Sequence, residues 1–76
     1  LDSLAVMPEF RGYGIGRKLI DTFCRHAFST GAERVGLIVD TDNPNAEKLY
    51  TSQGFKRVGD RIFFGHRMHH LQKTPF

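Results

Sequence analysis

An α/β domain with element order β-α-β-α-β-β and a mixed sheet is predicted. Three observations predict it. Ile15, Leu19, Phe23 and Ala27 recur every four residues, a short β-branched run follows at Arg34 to Asp40, and two strand-like runs come after a helix opened by proline. Strand, helix and strand in succession make a βαβ unit with parallel strands. The last two runs are joined too closely for a crossover, so they pair antiparallel and the sheet is mixed.

Leu1 to Val6 reads as a mainly apolar strand bounded by Pro8. The predicted helix starts at Gly14 or Ile15 and ends near Thr30. Ile20, Cys24 and Phe28 widen its apolar stripe, while Arg17, Lys18, Asp21 and Arg25 take the other side. Gly31 is placed to stop it at C′. Val35, Leu37, Ile38 and Val39 form a nearly continuous apolar run, the pattern of a strand buried on both faces. Asn43 and Pro44 then supply an N-cap and a first helical residue. That second helix carries Ala46, Leu49 and Tyr50 and ends near Gly54. Phe55 to Val58 is expected to be a strand, Gly59-Asp60 a turn, and Arg61 to about His70 its hairpin partner. The tail from Leu71 to Phe76 is expected to fray.

The chain has 76 residues, 39% hydrophobic and 25% charged, enough for one small domain and unlike a disordered composition. A formal charge of +3 suits anionic ligands, but the basic residues are scattered, so nothing demands a nucleic acid. No apolar run is long enough to span a membrane, and no signal peptide is visible. Cys24 is the only cysteine, so no internal disulfide forms, and a reducing, cytoplasmic setting is expected. The sequence opens directly on a strand without an initiator methionine, as a piece of a longer domain does.

The segment from Val6 to Gly16 joins a strand to a helix through Gly12, Gly14 and Gly16. Helix openings present backbone N–H groups and partial positive charge, and glycines let a ligand come close. The spacing G-x-G-x-G puts Arg17 where a dinucleotide fingerprint needs its third glycine. A P-loop ending in Gly-Lys-Ser/Thr is absent. With Arg11 before the turn, the segment reads as a site for a phosphate-bearing cofactor.

Arg11-x-x-Gly14-x-Gly16, with Val6-x-Pro8 upstream, resembles the acyl-CoA-binding motif of the GNAT family of N-acetyltransferases. Asn43-x-Asn45, Tyr50 and Gly54-Phe55 are similar to that family's later motif, so the resemblance runs from Leu1 to about Met68. It implies the C-terminal half of an acyl-CoA N-acyltransferase fold over residues 1–76, without the family's N-terminal strands and helices. It implies that acetyl-CoA is the cofactor and that a small-molecule or peptide amine attacks its thioester directly. The backbone of Gly12, Tyr13, Gly14, Ile15, Gly16 and Arg17 would hold the pyrophosphate, with charge from Arg11 and Arg17. Arg17 reads equally as a solvated surface residue.

Leu4, Ala5 and Val6 resemble the pantetheine-binding strand, which splays from its neighbour so that the cofactor arm pairs in the gap. A backbone N–H near Val6 would polarise the thioester carbonyl. Asn43 and Asn45 are assigned cofactor contacts, Asn43 also being a helix cap. Tyr50 is assigned the general acid, since a phenol with pKa about 10 can donate to a departing thiolate. The other reading of Tyr50 is a core residue packed on Phe55. Asp2 is the only acid on the first strand and so the candidate base. No metal is assigned: His66 and His70 share a strand face and His69 points away, which is too few ligands. Cys24 reads as a buried structural thiol. The rival reading is a non-catalytic CoA-binding or interaction module on a degenerate acyltransferase fold. In either case the unpaired edge and bare sheet face call for completion by an N-terminal half or by oligomerisation.

Overall fold

The computed structural model describes residues 4–7 and 16–75. Among them the elements follow the predicted order: β1 (Leu4–Val6), α1 (Gly16–Ser29), β2 (Arg34–Asp40), α2 (Pro44–Ser52), β3 (Lys56–Phe63) and β4 (His66–Lys73). The sheet order is β1-β2-β4-β3, with β1 and β2 parallel and the other pairs antiparallel. Leu1 to Ser3 and the expected helix start at Gly14 or Ile15 lie outside the described residues.

Both helices bury their apolar stripes on one face of the sheet. Ile20, Cys24 and Ala27 of α1 and Tyr50 of α2 join Val35, Leu37, Val39, Phe55 and Leu71 in one core. The odd positions of β2 point into it, as strand alternation requires. The expectation that β2 is buried on both faces is corrected: Arg34, Ile38 and Asp40 on its other side are only partly covered. Among the described residues no layer packs on that side.

Each helix stops by the same device. Gly31, at φ 104°, donates to Phe28 O while Ala32 donates to Ala27 O. Gly54, at φ 97°, donates to Thr51 O while Phe55 donates to Tyr50 O. These are Schellman caps, in which the glycine tolerates a left-handed backbone and the residue after it touches the last turn. At α2 that touch is the edge-to-face contact of Tyr50 with Phe55, ring centroids 5.7 Å apart.

The hairpin differs from expectation. The chain does not reverse at Gly59-Asp60, because β3 runs through both to Phe63. It reverses at Phe64-Gly65, whose φ values of 51° and 75° supply the two positive angles of a type I′ turn. Gly59 instead ends a β-bulge: Arg57 pairs with Leu71 and Gly59 with His70, leaving Val58 unmatched. The tail is not frayed from Leu71. That side chain is 1% exposed and faces Leu37, because β4 lies between β2 and β3 and extends to Lys73.

Candidate active site

β1 and β2 pair over three residues. Leu4, Ala5 and Val6 face Arg34, Val35 and Gly36, and the Met7 N–H donates to Gly36 O at 2.8 Å. β2 then continues to Asp40. Among the described residues no strand pairs with Leu37 to Val39 on the β1 side. Those backbone groups form an edge to which an extended chain can add. Of the three β1 residues assigned to the cofactor, Ala5 packs on the core, while Leu4 and Val6 are 39% and 70% exposed on the opposite face.

The start of α1 lies against the second half of α2. Gly16 is buried, and a Cβ there would touch Leu49 of α2 at 3.5 Å. Arg17 is exposed on the first turn. Asn43 caps α2, its Oδ1 accepting from the Ala46 N–H at 3.2 Å, and its own N–H donates to Asp40 O. Asn45 is exposed in the first turn, as its position predicts. Tyr50 lies two turns below the cap and is fully buried. The structure thus brings Gly16, Asn43 and Tyr50 to one side of the sheet. Asp2, Arg11, Gly12, Tyr13, Gly14 and Ile15 lie outside the described residues.

Charged groups brace α2 to the hairpin. Arg57 Nη2 donates to both carboxylate oxygens of Glu47, at 2.7 and 2.8 Å. His69 Nδ1 is 2.7 Å from Asp60 Oδ1, and its Nε2 is 3.6 Å from Glu47. The hydrogen bond from His69 holds the Asp60 carboxyl below its usual range. His69 does point away from its two neighbours on β4, as alternation requires.

His66 and His70 share the open face, but His66 is turned to Asp40 at 2.7 Å and lies 3.7 Å from Asp42. One ligand atom from each of these three residues falls within 4.8 Å of the others. Sequence spacing does not reveal that grouping, which arises because β4 begins beside the end of β2. The hydrogen bond to Asp40, then the charges of Asp40 and Asp42, raise the imidazole above its usual range. A raised folded value means that the stabilisation is complete below about pH 6.5 and is lost as pH rises through the folded value. His66→Gln is expected to flatten that decline in the urea midpoint. An unchanged midpoint-against-pH curve would contradict the linkage. Both groups are exposed, so the effect is small.

The sequence missed one further cluster beside the end of β1. Gly36 is the only residue without a side chain in β2, and its position on the open face is flanked by Leu4 and His70. A lone glycine inside a strand signals close approach by a neighbour, and that signal was available.

A sequence model described as the acetyltransferase (GNAT) family matches residues 1–55. The mycothiol acetyltransferase of Propionibacterium freudenreichii is 31% identical over 95% of this chain and 25% of its own length. A solved acetyltransferase structure superposes with a TM-score of 0.80 at 41% identity, covering 97% of this chain and 42% of its own. The spermidine/spermine N-acetyltransferase of Vibrio cholerae, solved with manganese ions, superposes with a TM-score of 0.84 at 25% identity, over 96% of this chain and 50% of its own. The chain therefore spans about half the length of these solved neighbours and a quarter of that curated relative.

Proposed function

This chain belongs to the acetyltransferase (GNAT) family, and from that premise we propose that it is the acetyl-CoA-binding half of an N-acetyltransferase. The reaction is transfer of an acetyl group to a primary amine by direct attack on the thioester. The observation that carries this reading is the edge that β2 presents beyond β1 among the described residues. Among the described residues Leu37 to Val39 of β2 present an edge toward the β1 side, on a sheet whose helix pair carries Gly16 and Tyr50. That edge fits an extended amide-bearing arm such as pantetheine, which adds to a sheet as a strand does.

In this proposal the backbone N–H groups from Gly12 to Arg17 hold the pyrophosphate at the start of α1, and Arg11 adds charge. Leu4 to Val6 align the arm, and an N–H near Val6 donates to the thioester carbonyl. Asn43 and Asn45 touch the cofactor from α2. Tyr50 gives its hydroxyl proton to the leaving sulfur. Asp2 is retained as a candidate base from the sequence. The acceptor is a small-molecule or peptide amine, and the spermidine/spermine N-acetyltransferase neighbour supports the small-molecule form. Coverage of about half the solved neighbours and the half-bare sheet face support completion of the domain by a further N-terminal half. No described helix is long and apolar enough to cross a membrane, and the buried single thiol of Cys24 fits a reducing cytoplasm.

Calorimetric titration of the protein with CoA and acetyl-CoA tests this reading. Saturable binding is expected, and Gly14→Glu should abolish it by placing bulk and negative charge in the pyrophosphate turn. A folded protein that binds neither ligand would overturn the proposal.

A further inference from the structure

Asp40 closes β2, Asp42 lies in the turn before α2, and His66 opens β4. Their meeting follows from register. Asp40 pairs with Met68, so His66, two residues before Met68, lies on the same face and diagonal to Asp40. The turn is pinned there. The Thr41 N–H and hydroxyl both donate to Arg67 O, at 3.4 and 3.1 Å, and the Asn43 N–H donates to Asp40 O at 3.1 Å. The Asp42 N–H donates to Asp40 Oδ1 at 2.8 Å, which holds the second aspartate close to the first. Two carboxylates and one imidazole are thus gathered from two strand ends that are distant in sequence.

An ion pair accounts for only part of this grouping. His66 Nε2 is 2.7 Å from Asp40 Oδ1, and one proton between them makes one hydrogen bond. Asp42 Oδ2 stands 3.7 Å from the same nitrogen, too far for a hydrogen bond. Two ligands of one tetrahedral ion, each bonded at about 2.0–2.2 Å, lie about 3.3 Å from each other. The separations of 2.7 and 3.7 Å bracket that value, and all three ligand atoms fall within 4.8 Å of one another. An ion in place of the shared proton uses one lone pair of Nε2 and one from each carboxylate. Asp40 Oδ1 keeps the Asp42 N–H as well, because a carboxylate oxygen accepts twice. Access is open. The side chains of His66, Asp40 and Asp42 are 48%, 25% and 81% exposed, so an ion enters from solvent and retains water.

We propose that Asp40, Asp42 and His66 bind one divalent first-row transition-metal ion, Zn²⁺ being the best matched, which clips the start of β4 to the β2–α2 turn. One imidazole nitrogen with two carboxylate oxygens suits such an ion better than Mg²⁺ or Ca²⁺, which favour oxygen alone. Three protein ligands leave a coordination position to water. On binding, the Nε2 proton passes to solvent and Nδ1 keeps the ring proton. The two carboxylates balance the two charges of the ion. The proposal does not depend on the N-acetyltransferase reading, because none of the three residues is assigned to acetyl-CoA or to the amine.

The surroundings suit a clip. Arg61 pairs with Met68 on the same face, which puts it two strand spacings, about 10 Å, from Asp40. That is about one Debye length at moderate salt, so its repulsion of an ion is largely screened. His70, further along the same face of β4, is turned to Gln72 instead and is not a ligand. The ion would join residues 26 apart in sequence, and Asn43, the cap of α2, follows Asp42 directly. Its effect is therefore to hold the hairpin against the turn from which α2 begins.

The test strips the protein with EDTA and titrates it calorimetrically with ZnCl₂ at about pH 7.5, above the ordinary imidazole range. One saturable ion per chain is expected. Asp42→Asn should weaken binding about tenfold and His66→Ala about 10²-fold, while His70→Gln leaves it unchanged. Zn²⁺ should raise the urea midpoint of the wild type and of His70→Gln and leave that of His66→Ala unmoved. Mg²⁺ at the same concentration should raise none of them. Long-range ¹⁵N NMR of the wild type should show Zn²⁺ shifting His66 Nε2 while Nδ1 stays protonated, a readout that stands even if a variant fails to fold. Absence of saturable Zn²⁺ binding by the folded wild type would overturn the proposal. So would equal Zn²⁺ affinity in the wild type and His66→Ala, or a Zn²⁺-induced shift confined to another histidine.

Discussion

Tyr50→Phe is expected to lower turnover by about 10²- to 10⁴-fold, the usual span for loss of a positioned proton donor. The substitution keeps the ring. Its edge-to-face contact with Phe55 and its place in the core are retained, so the urea midpoint should fall only modestly, by what one buried hydroxyl contributes, about 1–2 kcal/mol. Acetyl-CoA affinity should be preserved, because the proton moves only when the C–S bond breaks. Steady-state rates, calorimetry and urea unfolding on the same preparation separate these effects. Turnover equal to the wild type would return Tyr50 to a purely structural role. Its edge-to-face contact with Phe55 in the core already gives it one.

The second large effect is structural. Leu71→Ala should destabilise the protein by about 2–5 kcal/mol, the range for a buried leucine truncated in a packed core. Leu71 is 1% exposed and faces Leu37 across the centre of the sheet. A domain of 76 residues has about 4–11 kcal/mol in total, so this one change removes a large share of its stability. Phe64→Asn is the contrasting variant. Phe64 is fully solvent-exposed with φ at 51°, a backbone angle that asparagine accepts more readily. Its midpoint should stay the same or rise slightly. A Leu71→Ala midpoint as high as the wild type would show that the tail position is not part of the core.

These two variants also mark where sequence reading succeeds and fails. Asn43-Pro44, Gly31 and Gly54 act through their immediate neighbours, and each begins or ends a helix where local chemistry says it should. Tyr50 and Asn43 were legible for the same reason, as two positions on one short helix. Leu71 was misread because nothing local distinguishes a central strand from a loose end; its burial comes from pairing with residues far back in the chain. Gly59-Asp60 has the composition of a turn, but the bulge uses it, whereas Phe64 gives no composition signal for a positive φ. His70 beside Gly36 and His66 beside Asp40 are products of register between β2 and β4. No spacing rule within either strand brings those residues together.

The bulge at Val58 has a consequence for how β3 tolerates changes of length. β3 has eight residues but makes seven rungs with β4, so it carries one residue of slack in its interior. Deleting Val58 leaves every rung with its present occupants: Arg57 still meets Leu71 and Asp60 still meets His69. Deleting Asp60 also leaves seven rungs, yet it hands His69 a different partner and loosens the brace on α2. Shortening is thus absorbed in mid-strand at a single address, a kind of allowance that most proteins keep in their loops.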